Sequence, residues 1–261
     1  MKIESDIYFI EGENRGKFPY SNSLLVNNIL IDAGLGIEKV KEFSRKVDLL
    51  ILSHTHPDHS SGAWIFNELG KKVLSPEGFA TDLDSLSIRF VGESLSGAWK
   101  KFFTGLGMRS FKSEWYSDGE VLNKSPEIIA YKLEGHTKDL HIFTIDSNIM
   151  YGADIDLTSF GPWYGHKESD IEKFKKSIEK ILEFDIDIFI SSHRKPIFGR
   201  DKIEEEIEDI EKKTPIVVAA VANWQEGVAT RASPHGVSIL VFSESEIPEA
   251  VEKVESLVET G

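Results

Sequence analysis

Short apolar runs rich in β-branched residues alternate with amphipathic stretches through the first part of the chain: SLLVNNILIDAG (23–34), GIEKVKEFSRK (36–46), VDLLILS (47–53), a helical pattern from about Gly62 to Leu69, and KKVLSPE (71–77). Strands and helices taking turns in this way predict an α/β layered fold. Residues 79–118 interrupt the alternation. They read as a helical insertion carrying Trp99, Phe102, Phe103, Phe111 and Trp115, which packs on the sheets or a second copy of the chain, or walls a substrate pocket. Strands resume with EIIAYKLEGH (127–136), LHIFTI (140–145) and NIMYGADI (148–155). KESDIEKFKKSIEKILEF (167–184) predicts a helix opened by a capping box of Ser169 and Glu172, with Ile171, Phe174, Ile178 and Ile181 at helical spacing. DIDIFISSH (185–193) predicts a strand that ends on a histidine. In IEEEIEDIEKK (203–213), Ile203, Ile207 and Ile210 form a stripe opposite the acids, so this charge run is a solvated helix face. One domain is expected over 1–213, followed by a β-β-α tail over 214–261 that completes the main sheets or forms an edge or dimer unit.

Composition narrows what such a fold does. At 261 residues the chain buries an ample core without staples, and with no cysteine it has neither disulfides nor thiolate ligands, so any transition metal is held by nitrogen and oxygen. The formal charge of −14 repels polyanions, which makes nucleic acid a poor partner. MKIESDIYFIEGEN lacks the apolar core of a signal peptide, and no run approaches the roughly 20 apolar residues of a membrane span, so a cytoplasmic protein is expected, with no membrane partner.

The chemistry concentrates at SHTHPDHSSG. His54, His56, Asp58 and His59 form an H-x-H-x-D-H cluster where a buried strand gives way to a loop, the place where α/β sheets usually present reactive groups. Neutral imidazoles and carboxylates are good ligands for Zn²⁺ and similar ions. Three more candidates stand at the ends of predicted strands: His136 in LEGHTKD, Asp154 in MYGADID and His193 in ISSHRKP.

With Asp32 in LIDAG, these residues make up five motifs, and over residues 1 to about 200 the sequence resembles the metallo-β-lactamase fold superfamily. The resemblance implies a four-layer αββα sandwich with a dinuclear metal site. By the same resemblance His54, His56 and His136 hold one divalent ion, Asp58, His59 and His193 the second, and Asp154 bridges them. Zinc is expected, with iron or manganese as alternatives. Asp32 would orient the ligands by hydrogen bonds, unless it serves only as a turn-former before Ala33 and Gly34. A hydroxide shared by two such ions attacks a carbonyl, with Asp58 carrying a proton to the leaving atom.

Within the superfamily, true β-lactamases typically have Cys or Ser where Asp154 stands. The layout is most similar to the glyoxalase II-like branch, which implies a small thioester or lactone substrate. A mononuclear iron persulfide dioxygenase is the alternative from a different reaction class. Nucleases of the RNase Z type and a non-catalytic metal-binding protein rank lower. Trp163, Tyr164 and His166 in FGPWYGHKES, between the Asp154 strand and the following helix, are candidates to contact substrate, Tyr164 through the carbonyl oxygen. A homodimer built on the tail is a further expectation.

Overall fold

In the computed structural model, which describes residues 1–78, 81–155, 157, 168–213, 217–221 and 237–241, the alternation of the sequence becomes two sheets. The first runs in chain order through β1 (Lys2–Glu4), β2 (Ile7–Ile10), β3 (Ser23–Val26), β4 (Ile29–Ile31), β5 (Leu49–Ile51), β6 (Lys72–Pro76) and β7 (Glu114–Tyr116). Its strands are antiparallel up to β4 and parallel from β4 to β7. Parallel neighbours need crossovers. Here they are α1 (Ile37–Ser44), the pair α2 (Pro57–Ser60) and α3 (Ala63–Glu68), and the pair α4 (Leu83–Val91) and α5 (Glu93–Gly105).

The second sheet has the order β13-β12-β11-β10-β9-β8, from β8 (Val121–Lys124), β9 (Glu127–Lys132), β10 (His141–Ile145), β11 (Ile149–Ala153), β12 (Ile188–Ser191) and β13 (Ile197–Phe198). α6 (Ile171–Ile181) makes the parallel crossover from β11 to β12, and α7 (Arg200–Lys213) follows β13.

Burial explains the stacking. Phe9, Leu24, Ile31 and Ile51 of the first sheet share one apolar cluster with Ile128, Ile142, Met150 and Ile190 of the second. The alternate positions Leu30, Leu50 and Val73 belong to another cluster with Val40 of α1, Phe66 of α3, Leu86 of α4 and Trp99 and Phe103 of α5. Every residue of β10, β11 and β12 is buried, because α6 and α7 cover the second sheet through Phe174, Ile178, Ile203 and Ile207. The result is the expected αββα sandwich. Fully burying each such side chain contributes about 1.5–3 kcal/mol.

Two sequence expectations need correction. The stretch 79–118 is not wholly helical: after α4 and α5 it returns to the first sheet as β7, where Trp115 is 60% exposed and does not pack on the sheets. An edge strand of three residues leaves too short a pattern to separate from a helix. The predicted capping box of Ser169 and Glu172 does not form either. Asp170 is the N-cap of α6, its Oδ1 accepting from the backbone N–H groups of Glu172 and Lys173, while Ser169 Oγ donates to His136 O at 3.0 Å. In the tail, β14 (Val217–Val221) and β15 (Val237–Val241) pair antiparallel as a separate two-stranded sheet. The predicted tail helix lies outside the described residues. Among those described, no helix is long and apolar enough to cross a membrane.

Candidate metal centre

Seven side chains from both sheets meet at one edge of the sandwich. β5 ends two residues before Ser53, and the chain turns through His54, Thr55 and His56 into α2, which carries Asp58 and His59. Pro57 suits the first helical position, where its missing N–H costs nothing. The turn after β4 grips this segment, since Ala33 N donates to His59 O at 2.7 Å and Gly62 N to Ala33 O at 3.0 Å. A Cβ on Gly34 would lie 1.5 Å from Asp58 O, so only glycine admits the approach. His136 follows β9, Asp154 follows β11, and His193 stands two residues beyond β12. Gly135, at φ +132°, lets the chain pass the backbone of Phe174. Asp154 is turned inward by Ala153, at φ +49°, after a register shift in the β11–β12 ladder.

The ligand atoms fall into two groups that share Asp154. One is His54, His56, His136 and Asp154; the other is Asp58, His59, Asp154 and His193; within each, the atoms lie within 4.8 Å of one another. In the first, His136 Nε2 is 3.1 Å from His56 Nδ1 and 3.0 Å from Asp154 Oδ2, and His54 Nε2 is 3.7 Å from Asp154 Oδ2. In the second, Asp154 Oδ1 is 2.9 Å from His59 Nε2 and 3.2 Å from His193 Nε2, with Asp58 Oδ2 at 3.9 and 3.6 Å from the same two nitrogens. Ligands at about 2.0–2.1 Å from a tetrahedral ion stand roughly 3.3 Å apart, close to these separations.

Hydrogen bonds on the outer ring nitrogens aim the inner ones. His59 Nδ1 meets Asp32 Oδ2 at 2.8 Å, His193 Nδ1 meets Gly16 O at 2.6 Å, and His54 Nδ1 meets Ser53 Oγ at 2.9 Å. Ser53 Oγ itself donates to Asp32 Oδ2 at 2.8 Å and therefore accepts from His54. In its neutral form each of these three imidazoles would carry its proton on the outer nitrogen and turn a lone pair inward, the state a cation between them would select. The fully buried Asp32 also accepts from Ser53 N and Tyr151 OH, both at 2.8 Å, and holds the left-handed φ of 64° that aspartate tolerates.

Inside the cluster, polar atoms are stranded. His54 Nε2, His59 Nε2 and Asp154 Oδ1 are buried without a hydrogen-bond partner, the short His59–Asp154 approach being off the hydrogen-bond line. Buried atoms of this kind cost free energy unless something pairs with them. Burial works against a charged His59, yet the Asp154, Asp32 and Asp58 carboxylates outweigh it and raise its pKa well above the ordinary histidine value. The same contest, with Asp154 and Asp58 prevailing over burial, lifts His193 to about 9. Burial pushes His54 down and Asp58 up. Against its own burial, Asp154 is held well below the carboxylate range by His59, His193 and His136. The carboxylates draw positive charge into the pocket, and convergent lone pairs with stranded donor atoms fit divalent cations.

Of the candidates named from sequence, His54, His56, Asp58, His59, His136, Asp154 and His193 are brought together, with Asp32 directly behind them. Trp163, Tyr164 and His166 lie outside the described residues. His141 is separate, its Nδ1 against Asp139 O at 2.9 Å and its ring edge-on to Tyr116. Arg89, Asp139 and Glu168 carry no signal in the sequence and form a largely buried charged network beside the first group. No local spacing signals it, since its partners are 50 and 79 positions apart.

A two-sheet αββα sandwich with a His/Asp cluster at its edge is the metallo-β-lactamase fold. The family model of the Metallo-beta-lactamase superfamily, most of whose members are metal-dependent hydrolases, matches residues 16–77, the segment that holds Asp32 and the H-x-H-x-D-H cluster. Solved structures agree on the fold. A metallo-beta-lactamase family protein of Thermus thermophilus is 17% identical, with 80% of this chain and 79% of that one covered and a TM-score of 0.64. The metallo-β-lactamase FIM-1 of Pseudomonas aeruginosa, in its mono-zinc form, is 18% identical over 81% of this chain and 94% of that one, with a TM-score of 0.55. A metallo-beta-lactamase of Pontibacter korlensis is 15% identical over 81% and 97%, with a TM-score of 0.57. No curated protein matches the sequence.

Proposed function

We propose that the chain is a dinuclear metal-dependent hydrolase that cleaves a small thioester or lactone. The observation that carries this reading is the shared carboxylate: Asp154 offers Oδ2 to one group of buried ligand atoms and Oδ1 to the other. His54, His56 and His136 would hold one divalent ion, and Asp58, His59 and His193 the second. The all-nitrogen-and-oxygen set accepts zinc, manganese or iron. Zinc is proposed first, and the FIM-1 neighbour is described in a mono-zinc form. Bound there, such ions supply Lewis acidity toward a carbonyl oxygen and bring the pKa of water toward neutrality.

The protein's own contribution is orientation and proton traffic. Asp32, Ser53 and Gly16 hold the rings of His59, His54 and His193. Asp58 takes a proton from the attacking water on a carboxylate oxygen and returns it to the leaving sulfur or oxygen. A carboxylate at Asp154, where the superfamily's β-lactamases typically carry Cys or Ser, favours acyl substrates other than β-lactams, and the net charge of −14 favours a small molecule over a polyanion. Trp163, Tyr164 and His166 are proposed as pocket residues, and a cytoplasmic homodimer as the working form.

The test is to purify the full chain without added metal, measure metal identity and stoichiometry, and screen the same sample against thioesters, lactones, phosphodiesters and β-lactams. Two ions per chain with thioester or lactone turnover are expected. Asp58→Asn should then retain substantial metal while losing turnover about 10²–10⁴-fold; full activity in that variant removes Asp58 from the chemistry. One iron per chain with oxygen consumption on glutathione persulfide replaces the hydrolase with a dioxygenase.

A further inference from the structure

The helical insertion sends one side chain toward the ligands. Arg89 of α4 lies between two carboxylates and binds both in forks. Nη2 and Nη1 donate to Asp139 Oδ1 at 2.7 Å and Oδ2 at 3.0 Å, while Nε and Nη2 donate to Glu168 Oε1 at 2.8 Å and Oε2 at 2.7 Å. Nη1 also donates to Thr55 Oγ1. The side chains of Arg89, Asp139 and Glu168 are 15%, 0% and 13% exposed, so both forks are largely out of bulk water, where such charged pairs are strong and losing one member is costly.

Each side of this network reaches a segment that carries a candidate ligand. Asp139 Oδ2 accepts from Thr55 N at 3.1 Å and Thr55 Oγ1 at 2.8 Å, and Thr55 stands between His54 and His56. Glu168 immediately precedes Ser169, whose Oγ donates to His136 O, and Asp170, whose N–H donates to Gly135 O at 2.8 Å. One guanidinium therefore joins the turn bearing two histidines to the strip that backs the third. His136 depends on that strip, because its outer Nδ1 has no hydrogen-bond partner among the described residues and the ring is placed by its backbone.

We infer that Arg89 is a positioning residue for the first ligand group, fixing the His54–Thr55–His56 turn against the backbone of His136. This rests on the metal-centre reading above. The consequence is one-sided. His59 and His193 are aimed by Asp32 and Gly16, neither of which touches Arg89 in these contacts, so the second group keeps its geometry when the clamp is cut.

The experiment titrates the metal-free full chain with Zn²⁺ or Co²⁺ against a chromophoric chelator, using Co²⁺ absorption to follow the two binding steps. His136→Ala marks the step that belongs to the first group and His193→Ala the other. Arg89→Met should weaken the His136 step about 10–100-fold and leave the other within about twofold. Arg89→Lys, which keeps the charge but not the forks, should fall between Met and the native residue. Should Arg89→Met fail to fold by circular dichroism, Glu168→Gln with Arg89→Lys carries the test, and each should weaken the same step several-fold. A folded variant whose two steps are both unchanged, or both weakened alike, overturns the inference and leaves Arg89 a structural residue only. A native protein that binds neither ion overturns the metal-centre reading itself. Because the readout is binding, the result does not depend on knowing the substrate.

Discussion

The two candidate ligand groups have similar dimensions and are supported in different ways. The second group is buttressed from the core: Asp32 meets His59, and the carbonyl of Gly16 meets His193, each a direct bond to the outer ring nitrogen. In the first group His54 Nδ1 donates to Ser53 Oγ, and the Arg89 network holds the backbone of the His54–Thr55–His56 turn and, through the strip around Glu168, the backbone of His136. Direct bonds to a ring fix its aim whatever surrounds the sheet edge. On the proposed reading, a clamp through the backbone makes the ring spacing of the first group answer to the insertion, and changes in α4 should alter that group and spare the other.

The largest effect that would sharpen this contrast comes from Asp32→Asn. Asparagine tolerates the left-handed φ of 64°, so the backbone is kept and the charge alone is lost. An amide cannot serve the four donors that converge on Asp32, from Ser53 N, Ser53 Oγ, His59 Nδ1 and Tyr151 OH. Stability should fall by about 3 kcal/mol, read from urea unfolding. Metal affinity at the His193-marked step should drop about 10–100-fold, with a smaller loss at the other step through Ser53 and His54. Equal losses at both steps would show that Asp32 serves the whole site and would dissolve the distinction.

Next in size is the acid response of the clamp. Burial acts against an ionised Asp139, but Arg89 outweighs it, and the carboxyl is held below the usual carboxylate range. The unfolded chain, with an aspartate pKa near about 3.9, therefore takes up this proton first as the pH falls. The stabilisation is complete above about pH 5 and is lost progressively as the pH drops through the folded value. Asp139→Asn should cost about 2 kcal/mol at pH 7 and flatten the fall in urea midpoint between pH 5 and 3. Midpoint curves that run parallel for the two proteins would remove Asp139 from the acid response.

What the sequence revealed follows from range. His54 to His59 crowd into six positions after a buried strand, and His136, Asp154 and His193 each follow a run apolar enough to be read as a strand, so the candidates were visible from neighbours alone. The Arg89 clamp was not, because nothing around Arg89 in the helix IRFVG distinguishes it from a solvated arginine until the fold brings Thr55, Asp139 and Glu168 to it. The cap of α6 failed for a related reason. Ser169 and Asp170 are both good caps, and the choice was settled by a distant carbonyl, that of His136, which engages the serine. Strand β7 was lost because its three residues, Glu114, Trp115 and Tyr116, bury only the last.

The smallest effect separates the clamp from the helix it leans on. Asp170→Ala removes the side chain that accepts from Glu172 N and Lys173 N, a loss of about 1 kcal/mol in urea unfolding. The contacts that reach the ligand strip are untouched, since Ser169 Oγ still donates to His136 O and the backbone N–H of residue 170 to Gly135 O. Both metal-binding steps should therefore stay within about twofold of the native values, although the helix start has been weakened. If Asp170→Ala instead weakens the His136 step as much as Arg89→Met does, general stability of α6 sets the first group, and the contrast between a charged clamp and a core buttress gives way to one between a softer and a stiffer side of the same fold.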